Sequence, residues 1–347
     1  MVEHLNFSSD INNIFFGYIK NNQLVPFSIR SSDDDIFIER STGINRKFGN
    51  IKEELFIAAE MIADIESEIS ILMSGGLDSE IIAKTFKERG IKFTAYTYRF
   101  KNNLNYHDIS YAISWCKENN IKHEIIDVDV VKWLENDLYD YAFPLKSISP
   151  QISMHHWMID QTPGYVILGD GRISPRRNKL RQNKKGIFME SYGEKFSTLM
   201  WMAYKQRRGA PKFYRYTPEL EAAYMFDSVT EDFINITSKQ FKIRNFKNFR
   251  TFLFAKYFDI NFKPKYNGFE KILNLDNFYR NKLKELFPSS DSFVSYEWNL
   301  LKKIKLNKDF NWNAISYKDL SEVFDKDDQK DFTYQSRKSF HKVAVHV

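Results

Sequence analysis

Residues 71–79 read Ile71-Leu72-Met73-Ser74-Gly75-Gly76-Leu77-Asp78-Ser79, and a helical pattern follows over Glu80 to Arg89. An apolar run that stops at two glycines and gives way to a helix is a strand–loop–helix unit. The glycines let the backbone turn with its N–H groups bared, and the helix points its positive end at the same spot. An anion belongs there. Ser74 and Ser79 carry hydroxyls able to donate to phosphate oxygens, whereas the Asp78 carboxylate would repel phosphate unless a Mg²⁺ ion bridged the two. A glycine pair alone is usually an ordinary loop; the strand before it and the helix after it favour the cradle.

Outward from the loop, apolar residues recur at helical spacing from Asn50 to Ile65, and the first central strand spans Glu68 to Met73. The helix after the loop ends at Gly90, a natural residue just past a helix end. A strand over 92–99, a helix over 107–119, a strand over 121–128, helices to about Asp160 and a strand over 165–168 come next. Strands alternating with helices predict a parallel, doubly wound α/β sheet with its ligand at the carboxyl ends of the strands. Before it, Asn13 to Tyr18 and Leu24 to Ile29 predict a small β-hairpin, broken by Asn21-Asn22 and by Ser31 to Asp35. Beyond Ser174, aromatic stripes at helical spacing (Phe196 to Tyr204, Leu220 to Phe226, Phe246 to Phe258) predict core-forming helices. The expected organisation is a β appendage over 1–50, a nucleotide-binding domain over 51–175, a helical lobe over 176–275 and a helical extension over 276–347. The acidic run Asp325 to Asp331 reads as a solvated helix end.

At 347 residues the chain can hold one large or two ordinary domains. No apolar run reaches the roughly 18 residues of a membrane span, and the first ten residues are polar and acidic, unlike a signal peptide. A cytoplasmic protein with no membrane partner is expected. The single cysteine, Cys116, excludes an internal disulfide framework and any multi-cysteine metal site. Net charge is +6, an excess that suits phosphate-rich ligands without requiring nucleic acid.

The loop Ser74-Gly75-Gly76-Leu77-Asp78-Ser79 resembles the PP-loop of ATP pyrophosphatases, which cut ATP between its α and β phosphates. It is unlike a P-loop, since it contains no lysine and no Gly-Lys-Ser/Thr. The spacing of later pieces narrows the resemblance to the synthetase domain of asparagine synthetases. Tyr106-His107-Asp108 through Ala112 and Lys122-His123-Glu124 look like that family's Asp-Glu-x-x-x-Ala and His-x-Glu stretches, with Asp108 at an acidic family position. Leu168-Gly169-Asp170-Gly171 looks like its Ser-Gly-Glu-Gly. The segment from Arg208 to Ala223, with Pro211 and Pro218, is similar to its Arg-x-Pro-Phe-Leu-Asp stretch. Phe246-Lys247-x-x-Arg250 and Lys263-Pro264-Lys265 through Phe269 look like its closing Lys-x-x-Leu-Arg and Arg-x-Lys-x-Gly-Phe. The resemblance runs from about 55 to 275.

It implies an α/β fold: a doubly wound parallel five-stranded sheet, adenine nucleotide alpha-hydrolase-like, with a helical C-terminal lobe. The implied reaction is adenylation of a carboxylate with release of pyrophosphate, then transfer of the acyl group to ammonia or an amine. ATP and Mg²⁺ are the implied cofactors. Leu72, Ser74, Gly75, Gly76, Asp78, Ser79, Thr97, Gly169 and Gly171 are expected around the nucleotide, with the adenine against strand 92–99. Asp78 and Asp170 are the candidate metal ligands, and Asp170 and Lys265 the candidate catalytic groups. His107, His155 and His156 are further candidate bases; their spacing offers no zinc site.

Two departures bear on this. Where the family continues its fourth-strand stretch with Ser-Asp-Glu, whose aspartate binds the second magnesium, this chain has Arg172-Ile173-Ser174. Either Asp170 takes over the metal, or Asp78, phosphates and water hold it alone, or ATP cleavage is impaired. Asparagine synthetases also begin with a glutaminase domain whose nucleophile is a cysteine after the initiator methionine. Val2 stands here, and too few residues precede the loop for such a domain. The nitrogen source is then free ammonia, an amine, or ammonia passed from a partner. Three readings stay open: an amide ligase acting on a small-molecule, peptide or nucleotide-borne carboxylate; a non-thiolating enzyme that adenylates a base in tRNA or DNA, with nucleic acid held by the basic run Arg172–Lys185; and a degenerate nucleotide-binding protein.

Overall fold

A computed structural model describes residues 46–145, 147–169, 198, 201–202, 205–217, 219–224, 226–230, 250–261, 263–264 and 266–287 in full. It gives the backbone alone of 14–20, 23–26, 36–41, 175–177, 187–190, 218, 225, 244–249, 332–335 and 340–343. The chain begins with the antiparallel strands β1 (Ile14–Lys20), β2 (Gln23–Pro26) and β3 (Ile36–Ser41), then helix α1 (Ile51–Ile65). Helix α1 starts where the sequence has a capping box. The Asn50 side chain accepts from the Lys52 and Glu53 amides, and the Glu53 carboxylate accepts from the Asn50 amide.

The central domain then alternates strand and helix: β4 (Ile69–Leu72), α2 (Leu77–Glu88), β5 (Thr94–Phe100), α3 (Tyr106–Glu118), β6 (His123–Val128), α4 (Val130–Asn136), α5 (Leu138–Ala142), α6 (Pro150–Gln161) and β7 (Tyr165–Ile167). After β8 (Pro175–Arg177) and β9 (Ile187–Glu190), a two-residue strand, β10 (Gly209–Ala210), adds to the outside of β7. The parallel sheet therefore runs β10-β7-β4-β5-β6. Its five strands fulfil the expected doubly wound fold. The chain leaves β4 toward β5 and β6 on one side and returns to β7 on the other, so the sheet order reverses beside β4. That crevice is where open α/β sheets place their ligands.

Strand periodicity explains why helices cover both faces. Ile69 and Ile71 of β4 and Ala95 of β5 join one buried cluster with Leu55 and Ile62 of α1 and Ile82 and Phe86 of α2. Leu72, Tyr98 and Phe100 point the other way, into a cluster with Trp133, Met154 and Phe269. The sole cysteine, Cys116, is buried in the first cluster, where burial pushes its thiol up to about 12.

Among the described residues, α7 (Pro218–Met225), α8 (Arg244–Ala255) and α9 (Leu273–Leu286) follow. The wholly helical reading of 176–275 and 276–347 needs correction. Strands β8 and β9 lie in the first, and β11 (Phe332–Gln335) and β12 (Phe340–Val343) in the second. These four join β1 to β3 in a seven-stranded sheet of order β2-β1-β3-β11-β12-β9-β8. Phe332-Thr333-Tyr334-Gln335 is too short for a helical period to show, and its pairing partner, Ile38 to Ser41, lies almost three hundred residues earlier. The acidic run Asp325 to Asp331 lies outside the described residues.

Candidate active site

The loop after β4 is set by its own residues and by two neighbours in the sheet. Gly75 has φ +88°, and a Cβ there would sit 2.2 Å from the Asp108 carbonyl oxygen. Only glycine lets α3 pack this tightly on a loop in the left-handed region. At the strand end, the Met73 amide donates to the Tyr96 carbonyl at 2.8 Å. The Thr97 hydroxyl donates to the Met73 carbonyl at 2.8 Å, and His123 Nε2 lies 2.8 Å from Thr97 Oγ1. With the Thr97 proton on Met73, that second contact is an N–H donated by His123. Burial lowers the His123 pKa and keeps the ring neutral.

Helix α2 begins at Leu77, so Asp78 and Ser79 occupy its first turn; its cap residue, Gly76, supplies no side chain to its amides. Ser74 Oγ accepts from the Gly76 amide at 3.3 Å and lies 3.4 Å from Ser79 Oγ, which donates to the Gly76 carbonyl at 3.0 Å. Both hydroxyls thus lie at the positive end of a twelve-residue helix. Gly169, just past β7, closes the other side: a Cβ there would be 3.0 Å from Asp78 Cβ and 3.3 Å from the Ser79 amide.

The sequence singled out Asp78 but not what surrounds it. The Tyr214 hydroxyl donates to the Asp78 carbonyl at 2.6 Å, and the Arg250 guanidinium of α8 is ion-paired with the Asp78 carboxylate. Burial lowers the Arg250 pKa, and Asp78's charge and hydrogen bond more than offset that, leaving it raised. Two residues on, Glu80 is buried and ion-paired with Lys263, whose ammonium lies 5.2 Å from the Tyr111 ring centre, and with Lys84 at 3.0 Å. Arg250 and Lys263 close on the first turn of α2 from more than 170 residues away. Both residues lie in stretches that carry the family resemblance, but their pairing with Asp78 and Glu80 follows only from packing.

A second group of ionisable residues borders the loop. Asp108 is 8% exposed, and its carboxyl is raised to about 7, first by desolvation and then by the Glu270 charge, against the lowering effect of His107 and Lys263. His107 Nε2 lies 2.9 Å from Glu270 Oε2, and its ring meets Tyr266 edge to face at 4.8 Å. Gly268, with φ +82°, brings the 263–270 segment to 3.8 Å from Asp108 Oδ2, measured from where its Cβ would be. Asp108 and His107 therefore stand beside the cradle. His156 is buried instead against Trp201, stacked at 4.9 Å, which gives it a packing role.

Of the expected site residues, the structure brings Ser74, Gly75, Gly76, Asp78, Ser79 and Gly169 together. Leu72 packs into the core, and the Thr97 hydroxyl serves the loop backbone. Asp170, Gly171, Lys265 and the basic run Arg172–Lys185, strand β8's backbone excepted, lie outside the described residues. No group of three or more His, Cys, Asp or Glu side chains gathers among the described residues. Among the described residues Asp78 could hold a Mg²⁺ ion together with phosphate and water, a usual mode for this ion; Asp170, the other candidate ligand, lies outside them. No described helix is long and apolar enough to cross a membrane.

Residues 68–154 match the family described as "QueC: Queuosine biosynthesis protein QueC", a span running from β4 through the loop, β5, α3 and β6 into α6. No curated protein matches significantly. Among solved structures, the chain is similar to NMN synthetase from Francisella tularensis (16% identity, 67% of this chain, 94% of that one, TM-score 0.31). It is also similar to NH3-dependent NAD synthetase from Campylobacter jejuni subsp. jejuni NCTC 11168 (15% identity, 68% and 90%, TM-score 0.27). A third is a predicted subunit of tRNA methyltransferase from Methanocaldococcus jannaschii DSM (22% identity, 45% and 74%, TM-score 0.26). Superpositions this loose carry no weight for function. The family match covers about a quarter of the chain and takes in the Ser-Gly-Gly-x-Asp-Ser loop at the switch point of the five-stranded parallel sheet.

Proposed function

We propose that this chain is an AMP-forming carbon–nitrogen ligase resembling the synthetase half of asparagine synthetases. The observation that carries the reading is the loop Ser74 to Ser79, folded on Asp108 by Gly75 and set at the start of α2 beside β4. A carboxylate oxygen attacks the α-phosphorus of ATP, the bond to the bridging oxygen breaks, and pyrophosphate leaves with the electron pair. The loop amides, Ser74, Ser79 and the helix end oppose the charge gathering on that leaving group. Mg²⁺ held by Asp78 and the phosphates would supply further neutralisation. Ammonia or an amine then attacks the acyl-adenylate, AMP departs, and the nitrogen gives up a proton. Asp170 is our candidate acceptor for it, and Lys265 our candidate cation at the α-phosphate, both from the resemblance. A cytoplasmic setting belongs to the same proposal.

Full-length protein with Mg²⁺ and ATP should release AMP and pyrophosphate in equal amounts when offered the right carboxylate and ammonia. Formation of ADP and phosphate, or binding of ATP without turnover over a broad panel of acids and amines, would refute the ligase reading. The basic run Arg172–Lys185 motivates a second reading, adenylation of a base in tRNA or DNA. ATP cleavage seen only with RNA or DNA present, and weakened by salt, selects it.

A further inference from the structure

We infer that Arg250 is a partner-exchanging residue: it pairs with the Asp78 carboxylate, and it passes to the nucleotide's phosphates when Mg²⁺ takes Asp78. The inference rests on the nucleotide reading and adds a residue to it. Arg250 and Asp78 are only 13% and 21% exposed, and they are ion-paired. A guanidinium this sheltered is costly to leave without a counter-charge. Asp78 supplies that charge in the first turn of α2, on the turn whose Ser79 hydroxyl lies 3.4 Å from that of Ser74. Tyr214, buried and donating to the Asp78 carbonyl at 2.6 Å, anchors the same turn from the chain's second half.

The geometry sets two demands on one carboxylate. A Mg²⁺ ion bridging Asp78 to phosphate must displace or share Arg250, and the displaced guanidinium then needs another anion close by. Pyrophosphate in the cradle is that anion, and the planar fork of Arg250 suits phosphate oxygens as well as it suits a carboxylate. Arg250 would then neutralise the leaving group, and its return to Asp78 would favour product release.

The inference has a signature that a structural ion pair lacks. Inorganic pyrophosphate is titrated calorimetrically into the full-length chain without Mg²⁺. Asp78→Asn frees Arg250 and should tighten pyrophosphate binding about tenfold, the worth of one charge-assisted hydrogen bond. Arg250→Gln should weaken it by a similar factor, and Arg250→Lys should fall between. Removal of the Asp78 charge would itself reduce repulsion, so the decisive protein is the double variant. It should bind pyrophosphate about tenfold more weakly than Asp78→Asn, because the contact that the freed Arg250 makes in the single variant is gone. Titrated with MgCl₂ in the presence of a non-cleavable ATP analogue, Arg250→Gln should reach half-saturation at a lower Mg²⁺ concentration than wild type. Wild type that binds neither pyrophosphate nor ATP overturns the nucleotide reading and this inference with it. Wild type that binds, combined with no gain in Asp78→Asn or with a double variant that binds as tightly as Asp78→Asn, overturns the exchange alone.

Discussion

Replacement of Asp108 by Asn should stabilise the protein, and by more as the pH rises. Its carboxyl is raised from 3.8 to about 7 because it is buried under the 263–270 segment with Glu270 as a neighbour. An acid with a raised folded-state pKa favours folding most at low pH. The folded state holds the extra proton between the two values, so stability falls as pH climbs from about 4 to about 7 and the full penalty remains above that. With 1.36 kcal/mol for each tenfold shift, the penalty reaches about 4 kcal/mol at alkaline pH, and about 2–3 kcal/mol of it develops between about pH 5 and about pH 8. Asn keeps the shape and removes the charge. Urea unfolding of both proteins at several pH values, followed through the transition of the parallel-sheet domain, should therefore show a stability difference that widens by about that amount. A difference that stays constant with pH would show that Asp108 is not a buried acid with this titration. A difference that narrows would reverse the sign of the reasoning.

Three further outcomes follow from the same geometry. Gly75→Ala places a methyl group 2.2 Å from the Asp108 carbonyl oxygen at φ +88°; it should cost more than the roughly 1–2 kcal/mol of left-handed strain alone and abolish ATP binding, as calorimetry would show. Asp78→Asn should lower Mg²⁺-dependent pyrophosphate release roughly 100-fold, and retained release would count heavily against the mechanism. Glu221→Gln leaves the buried Arg215 without the carboxylate that accepts from its Nε at 2.6 Å; thermal unfolding should show a loss on the order of 3 kcal/mol.

The parallel sheet was legible because its signals are local. Ile69 to Leu72, the two glycines and the helical pattern after them lie within twenty residues, and β5, α3, β6 and β7 fall within about two residues of their expected bounds. The two-residue β10 left no trace, since Gly209-Ala210 has no periodicity to read. Strands β8, β9, β11 and β12 were missed for a related reason: each is three or four residues long, and the pairings that join them to the rest of the sheet, β11 with β3 and β12 with β9, link segments remote in sequence. In the site, residue types announced Ser74, Gly75, Gly76, Asp78 and Ser79. The role of Gly75 was foreseen as a turn, but its contact with the Asp108 backbone was not, because that depends on how α3 packs.

By itself the sequence determined that a strand, a glycine turn and a helix make an anion cradle after β4, because periodicity and backbone freedom are properties of neighbouring residues. Tertiary structure alone decided what the Asp78 carboxylate touches. Arg250 reaches it across 172 residues, Lys263 reaches Glu80 across 183, and Glu270 reaches His107 across 163. Those pairings set the charge on the cradle, and packing of the chain's second half onto its first creates them.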